Sequence, residues 1–130
     1  MSALIRRGNM DGALQMLQTY LATVPYCANT DSEGHYQQMM YVIFSILNNY
    51  VDLEVRTAFG RVDMVLRTAT HLYLFELKLN KDAATAMNQI NLKEYPKRFA
   101  LCGLPIVKVG VNFDVTTRNI TDWLIEPVEA

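Results

Sequence analysis

Three charged residues sit in runs that otherwise contain little but apolar side chains. Asp63 lies in "RVDMVL", and Glu76 and Lys78 lie in "LYLFELKL". A carboxylate or ammonium placed among core-forming residues costs free energy unless it has a partner or a task. Both runs have the aromatic and branched composition of strands. Residues two apart on a strand share a face, so Glu76 and Lys78 are expected side by side. A short connection, Ala69-Thr70-His71, joins the runs at D-x12-E-x-K spacing. If the two strands pair through it, Asp63 comes next to Glu76.

Two neighbouring carboxylates repel unless a cation lies between them. Oxygen ligands without companion histidines suit Mg²⁺ or Mn²⁺ rather than Zn²⁺. A cation so held polarises a phosphate and acidifies a bound water. Lys78 could then orient that water or stabilise charge developing on the phosphate. The competing reading is an ordinary exposed strand with alternating charges. Leu72, Tyr73, Leu74, Phe75, Leu77 and Leu79 around the charges, and the glycine turn before Asp63, argue against it.

The elements that must position these residues follow from periodicity. Met10, Ala13, Leu14, Leu17 and Leu21 have helical spacing, which predicts a first helix over Met10 to Val24, ended by Pro25. The cap cluster 29–32 introduces a second helix in "SEGHYQQMMYVIFSILNNY", apolar nearly all round after Met39 and therefore central. "DLEVRTA", "RVDMVLRT" and "LYLFELKL" read as a meander of antiparallel strands. "KDAATAMNQINLKEY" reads as a helix with Ala84, Met87 and Asn91 or Leu92 along one face, interrupted by Pro96. "LPIVKVGVNFD" is a fourth, buried strand. The closing "DWLIE" reads as a short strand or a helical turn. The order predicts a mixed sheet flanked by helices, with a parallel crossover from the third strand to the fourth.

The 130 residues fit one domain, and 51% of them are apolar. No apolar run approaches the roughly 20 residues of a membrane span, and "MSALIRRGNM" has no hydrophobic signal core. Cys27 and Cys102 form no CxxC pair. A reduced cytoplasmic setting is expected, with both as small core residues. The net charge of −1 hides a basic middle. Lys78, Lys81, Lys93, Lys97, Arg98, Lys108 and Arg118 face only Asp82, Glu94 and Asp114 there. That segment would favour a polyanion.

"GRVDMVL…LYLFELKLN…AMNQI…Y" resembles the PD-(D/E)XK nuclease superfamily. More closely, it resembles the nuclease-like domain that follows an AAA-ATPase-like domain in many bacterial proteins, especially from Bacteroidetes. The resemblance runs from about Asp31 to Trp123. "GRVD" and "FELK" match its two core motifs. Glu33 matches its helical glutamate, Gln89 its helical glutamine and Tyr95 its downstream tyrosine. The resemblance implies a restriction-endonuclease-like α/β core, α-β-β-β-α-β, with an extra N-terminal helix. It implies Mg²⁺- or Mn²⁺-dependent cleavage of phosphodiester bonds, in DNA rather than RNA. It further implies that residues 1–27 extend a core spanning 31–126, that the chain is the C-terminal part of a longer protein, and that an ATPase-like domain is its partner. No P-loop pattern occurs.

On this reading Asp63, Glu76, Lys78 and Gln89 are the catalytic candidates. Asp63, Glu76 and Glu33 are the metal ligands, with the Leu77 carbonyl as a further donor. Lys93, Tyr95, Lys97 and Arg98 hold the nucleic-acid backbone. Plainer roles compete. Glu33 could serve only the helix N-terminus, Gln89 could be a solvated helix residue, and Tyr95 could be a packing aromatic. Arg61 is expected in a rim ion pair with Glu54 or Asp63. His35 and His71 have no companions at metal-ligand spacing. The alternative function is an inactive nucleic-acid-binding, regulatory or assembly module that kept the fold.

Overall fold

The computed structural model describes residues 2–23, 33–47, 50–57, 60–92 and 103–128, and at 2, 33–35, 55–57, 60 and 92 it describes the backbone alone. Two N-terminal helices come first, α1 (Ser2–Arg6) and α2 (Met10–Leu21). Gly8 turns the chain between them at φ +77°, a conformation that glycine adopts without strain. Asn9 then caps α2, its side-chain oxygen accepting from Gly12 N–H at 2.9 Å. The stripe Met10, Ala13, Leu14, Leu17 and Leu21 is buried as its spacing requires. The helix stops at Leu21, three residues short of the predicted end. The short α1 carries no sequence signal beyond Leu4 and Ile5.

A third helix, α3 (Glu33–Ile46), precedes the hairpin β1 (Tyr50–Thr57) and β2 (Gly60–Arg67). Next come β3 (Leu72–Leu79), α4 (Ala83–Leu92), β4 (Ile106–Asp114) and β5 (Asn119–Pro127). The five strands form one sheet in the order β1-β2-β3-β4-β5. β1, β2 and β3 make the expected antiparallel meander, and β3 pairs with β4 in parallel across α4. The closing segment is neither short nor helical. β5 is a nine-residue edge strand antiparallel to β4. The mixed sheet between helices has the restriction-endonuclease-like architecture. Among the described residues no helix is long and apolar enough to cross a membrane.

Two cores sandwich the sheet. The larger joins Ile5, the α2 stripe, Tyr36, Met40 and Phe44 to Met64, Leu66, Tyr73, Phe75, Leu77, Val109, Val111 and Phe113. The smaller joins Met87 and Ile90 of α4 to Val62, Val65, Leu72, Leu74 and Ile106. Ala83 and Ala86 are also buried on α4, whereas Ala84 and Asn91 are exposed. The α4 face read from the sequence was therefore rotated. Ala83 and Ala86, not Ala84 and Asn91, lie beside Met87 against the sheet.

Helices α1 and α2 are built into the larger core, and α2 is tied to the edge strand. Gln18 Nε2 donates to the Ile120 carbonyl at 2.7 Å. Asn119 Nδ2 returns a bond to the Gln18 carbonyl at 2.9 Å, and Trp123 Nε1 donates to Asp11 at 2.8 Å. Leu17 is fully buried. Leu17→Ala is expected to lower the free energy of unfolding by about 2–5 kcal/mol, through lost burial and the cavity left behind. Urea denaturation checks this; a loss below about 1 kcal/mol would show that α2 is only loosely seated.

Candidate active site on the central strand

Lys78 and Glu76 point to the α4 side of the sheet, as do Leu72 and Leu74 on the same strand. Lys78 Nζ lies 3.7 Å from Glu76 Oε1, with the side chains 14% and 5% exposed. A direct charge-assisted bond is nearer 2.7–2.9 Å, so the ammonium neutralises the carboxylate at a distance. The side-by-side placement read from the sequence is what the structure contains.

Asp63 comes to the same place from β2. The last main-chain pair of the β2–β3 ladder is Met64↔Phe75. That register, continued by one residue, sets Asp63 opposite Glu76. Here the ladder gives way to a side chain: Leu77 N–H donates to Asp63 Oδ2 at 2.8 Å. The carboxylate thus stands where a carbonyl of the neighbouring strand would otherwise be. Asp63 itself is half-buried, and Gln37 Nε2 on α3 donates to its backbone carbonyl at 2.7 Å. The two carboxylates and the lysine lie around the join of β2 and β3 and together carry net negative charge when ionised.

Residues on β4 and β5 shape the cover over this site. Gly110 pairs with Glu76. A Cβ at Gly110 would come within 2.9 Å of the Ala83 carbonyl and 3.0 Å of Met87 N, so only glycine lets α4 sit this close. Asn112, the partner of Lys78, is buried. Its Oδ1 accepts from Lys81 N–H at 3.0 Å and its Nδ2 donates to Thr121 Oγ1 at 2.8 Å. The Thr121 hydroxyl donates in turn to Asp122 Oδ1, and Asp122 Oδ2 accepts from Ala83 N–H at 2.8 Å. A chain of hydrogen bonds therefore runs from beside Lys78 to the first turn of α4. Asn80, at φ +55°, closes the corner by accepting from Val115 N–H at 3.0 Å; asparagine tolerates that conformation better than most residues.

The other sequence candidates divide in two. Gln89 is half-buried on α4, on the flank of the face formed by Ala83, Ala86, Met87 and Ile90. Arg61 pairs with Glu54 at 3.5 Å, both more than half exposed, which is the expected rim contact. His71 is half-buried, with Nδ1 2.8 Å from the Thr70 hydroxyl and its ring tilted against Tyr73. Glu33 opens α3 one turn ahead of Gln37, but its side chain lies outside the described residues, as does that of His35. Lys93, Tyr95, Lys97 and Arg98 also lie outside them, and so do Cys27 and Cys102. Among the described residues no cluster of three or more His, Cys, Asp or Glu side chains forms. A cation held by Asp63 and Glu76 would need a further donor. The Leu77 carbonyl and Glu33 are the sequence's nominees. The donor chemistry still fits a hard divalent ion: two carboxylates on adjacent strands, with Glu76 buried.

A groove of about 490 Å³ is lined by Gly8, Met10, Tyr73, Trp123 and Pro127, on the opposite face of the sheet. Burial pushes the Tyr73 phenol above its ordinary range, so it stays neutral there. It belongs to the α2–β5 seam rather than to the carboxylate pair.

A mixed sheet flanked by helices, with two carboxylates and a lysine at the join of its second and third strands, defines a restriction-endonuclease-like protein. A family model of the PD-(D/E)XK nuclease superfamily matches residues 31–123, and the chain belongs to that superfamily. Its members are generally nucleases and typically use divalent metals. The chain is also similar to an uncharacterized protein in the vnfD 5′ region of Azotobacter chroococcum mcd 1. The two are 28% identical over 130 residues, covering 95% of this chain and 25% of that protein. The chain thus spans about a quarter of that relative's length.

Sequence reasoning missed Gln37, Gly110, Asn112, Thr121 and Asp122. The signal for two of them was present: a glycine and an asparagine interrupt the apolar run "IVKVGVNF". Asp82 gives a test of the α4 anchor. Its carboxyl is held below the usual range by the Thr85 hydroxyl and then by Thr85 N–H, at 2.7 and 2.6 Å. A depressed folded-state pKa means that the contribution is complete above the ordinary carboxylate value, about 4. It is lost as pH falls through the lowered value. The protection of Thr85 N–H, the slowing of its exchange relative to the intrinsic rate at the same pH, is therefore expected to fall selectively as pH drops below about 4, and Asp82→Ala should remove that protection at every pH. Thr85 protection in the wild type that does not change between about pH 6 and pH 2 would contradict the cap.

Proposed function

We propose that the Asp63–Glu76–Lys78 cluster is the active site of a divalent-metal-dependent nuclease acting on DNA. The observation that carries the reading is the meeting of Asp63 with the Glu76–Lys78 strand at the end of the β2–β3 ladder. Asp63 and Glu76 are the proposed ligands, with Glu33 and the Leu77 carbonyl completing the set. When bound, Mg²⁺ or Mn²⁺ supplies phosphate polarisation and a more acidic water.

The chain's own groups do the rest. The Asp63 carboxylate is oriented by Leu77 N–H. The Glu76 carboxylate is held out of bulk water, where its charge acts more strongly on its neighbours. Lys78 keeps its ammonium within reach of Glu76 and of a phosphate seated beyond it, where it donates to the oxygen that gains charge. Gln89 on α4 is proposed to orient the lysine or a phosphate oxygen. Lys93, Tyr95, Lys97 and Arg98 are proposed to hold the backbone of the nucleic acid. The match to a relative spanning four times the covered length supports only that this chain is a piece of a longer protein; the proposed reading goes further. In it, residues 31–126 are the nuclease core, 1–27 its helical extension, and the whole a C-terminal module beside an ATPase-like domain in a cytoplasmic bacterial protein, as in Bacteroidetes.

The test is cleavage of single- and double-stranded DNA and RNA with Mg²⁺ or Mn²⁺, wild type beside two variants. Lys78→Ala is expected to keep or raise Mn²⁺ affinity, since a nearby positive charge opposes cation binding. Its rate should fall about 10²-fold or more. Asp63→Ala should lose both metal and cleavage. Equal cleavage by wild type and Lys78→Ala would place the activity elsewhere.

A further inference from the structure

The pleat of β2 is broken at its one acidic residue. Val62 and Met64 are two apart and on a regular strand would share a face. Both are fully buried, yet Val62 lies in the core beneath α4 and Met64 in the core on the other side. Between them is Asp63. The β1–β2 ladder is interrupted at the same level without changing register: Leu53 pairs with Met64 and Val55 with Val62, but the Glu54–Asp63 pair between them is missing, and Glu54 has φ +51°. A non-glycine residue in the left-handed region persists only where its surroundings fix it. Two strands are thus distorted together at one point, and that point is the proposed metal ligand.

What fixes Asp63 there is visible on both sides of the residue. Its carboxylate is bound to β3 through Leu77 N–H, and its carbonyl is bound to α3 through Gln37 Nε2 at 2.7 Å. Regular strands hold a carbonyl with main-chain donors. Here a side chain from a helix 26 residues earlier reaches in to do so. We infer that Gln37 is a positioning residue, whose amide clamps the Asp63 peptide at the break and so aims the carboxylate at the cation it shares with Glu76. The inference rests on the nuclease reading for the cation but not for the clamp. Gln37 follows Glu33 by one helical turn, so the same hydrogen bond also sets where the start of α3 stands against β2.

Two substitutions in the full chain separate this from plain packing. Gln37→Met keeps the length and loses the donor. Gln37→His brings back an N–H at similar reach. Two readouts are followed, Mn²⁺ affinity by electron paramagnetic resonance and amide exchange of Leu77 in metal-free protein, with Leu74 and Val109 as core controls. Gln37→Met is expected to weaken Mn²⁺ binding about tenfold or more, as loss of an outer hydrogen bond to a ligand does. Leu77 exchange should quicken while Leu74 and Val109 stay slow, and Gln37→His should recover both readouts. Unchanged affinity together with unchanged Leu77 exchange overturns the inference. So does a uniform quickening of all three amides, which marks general destabilisation. If the wild type binds no Mn²⁺, the nuclease reading fails, and Leu77 exchange alone decides the clamp.

Discussion

The hydrogen bond from Leu77 N–H to the Asp63 carboxylate is the contact on which the proposed site depends. Strand pairing between β2 and β3 runs regularly to Met64↔Phe75 and then changes character. A main-chain carbonyl is neutral and fixed in the ladder. A carboxylate in its place brings charge and a second oxygen to the same location. The substitution costs the sheet little, because the donor is still satisfied. It delivers a negative group to the neighbour of Glu76 without any loop having to carry it. Sites built on strands hold their geometry better than sites built on loops, because packing on both faces locks the side chains.

The covering helix is fixed just as closely. Gly110 lets α4 approach the sheet, the buried Asn112 joins the Lys78 level to Thr121, and Asp122 takes the first N–H of the helix. Two acids, Asp82 and Asp122, meet the N-terminus of α4, where the helix dipole favours negative charge. That end is therefore held to the sheet by the close approach at Gly110 and by the Asp122 bond to Ala83 N–H, which makes the distance between α4 and the charged side of β3 a property of the fold rather than of side-chain flexibility.

Much of this could be read in the sequence because its strongest signals are periodic. The run Leu72–Leu79 is a strand in the sequence and in the structure, and with it came the neighbourhood of Glu76 and Lys78. Asp63 followed from the hairpin. The α4 face did not, because Ala83, Ala84 and Ala86 are chemically alike and only the approach of Gly110 selects between them. Nor did Gln37, since a polar residue at the start of an amphipathic helix has the same appearance whether it meets water or a carbonyl. The Thr121–Asp122 links needed β5 to be a full strand, and "NITDWLIEP" mixes polar and apolar residues too evenly to announce one. Sequence periodicity reports burial, and these contacts are set by polar partners distant in the chain.

The β3–β4 pairing has a consequence for assembly. Asp63 and Glu76 are joined by a tight antiparallel turn, whereas Glu76 and Gly110 are neighbours only after the whole crossover through α4 is in place. The entropy of closing a loop grows with the logarithm of its length, and parallel pairing across a crossover closes the longer one. Loop entropy therefore favours the two carboxylates meeting while the sheet beyond them is still open. On that order the like charges would meet in a hairpin bathed in water, where their repulsion is weakest, and Glu76 would be walled in only when β4 docks and carries α4 down over it.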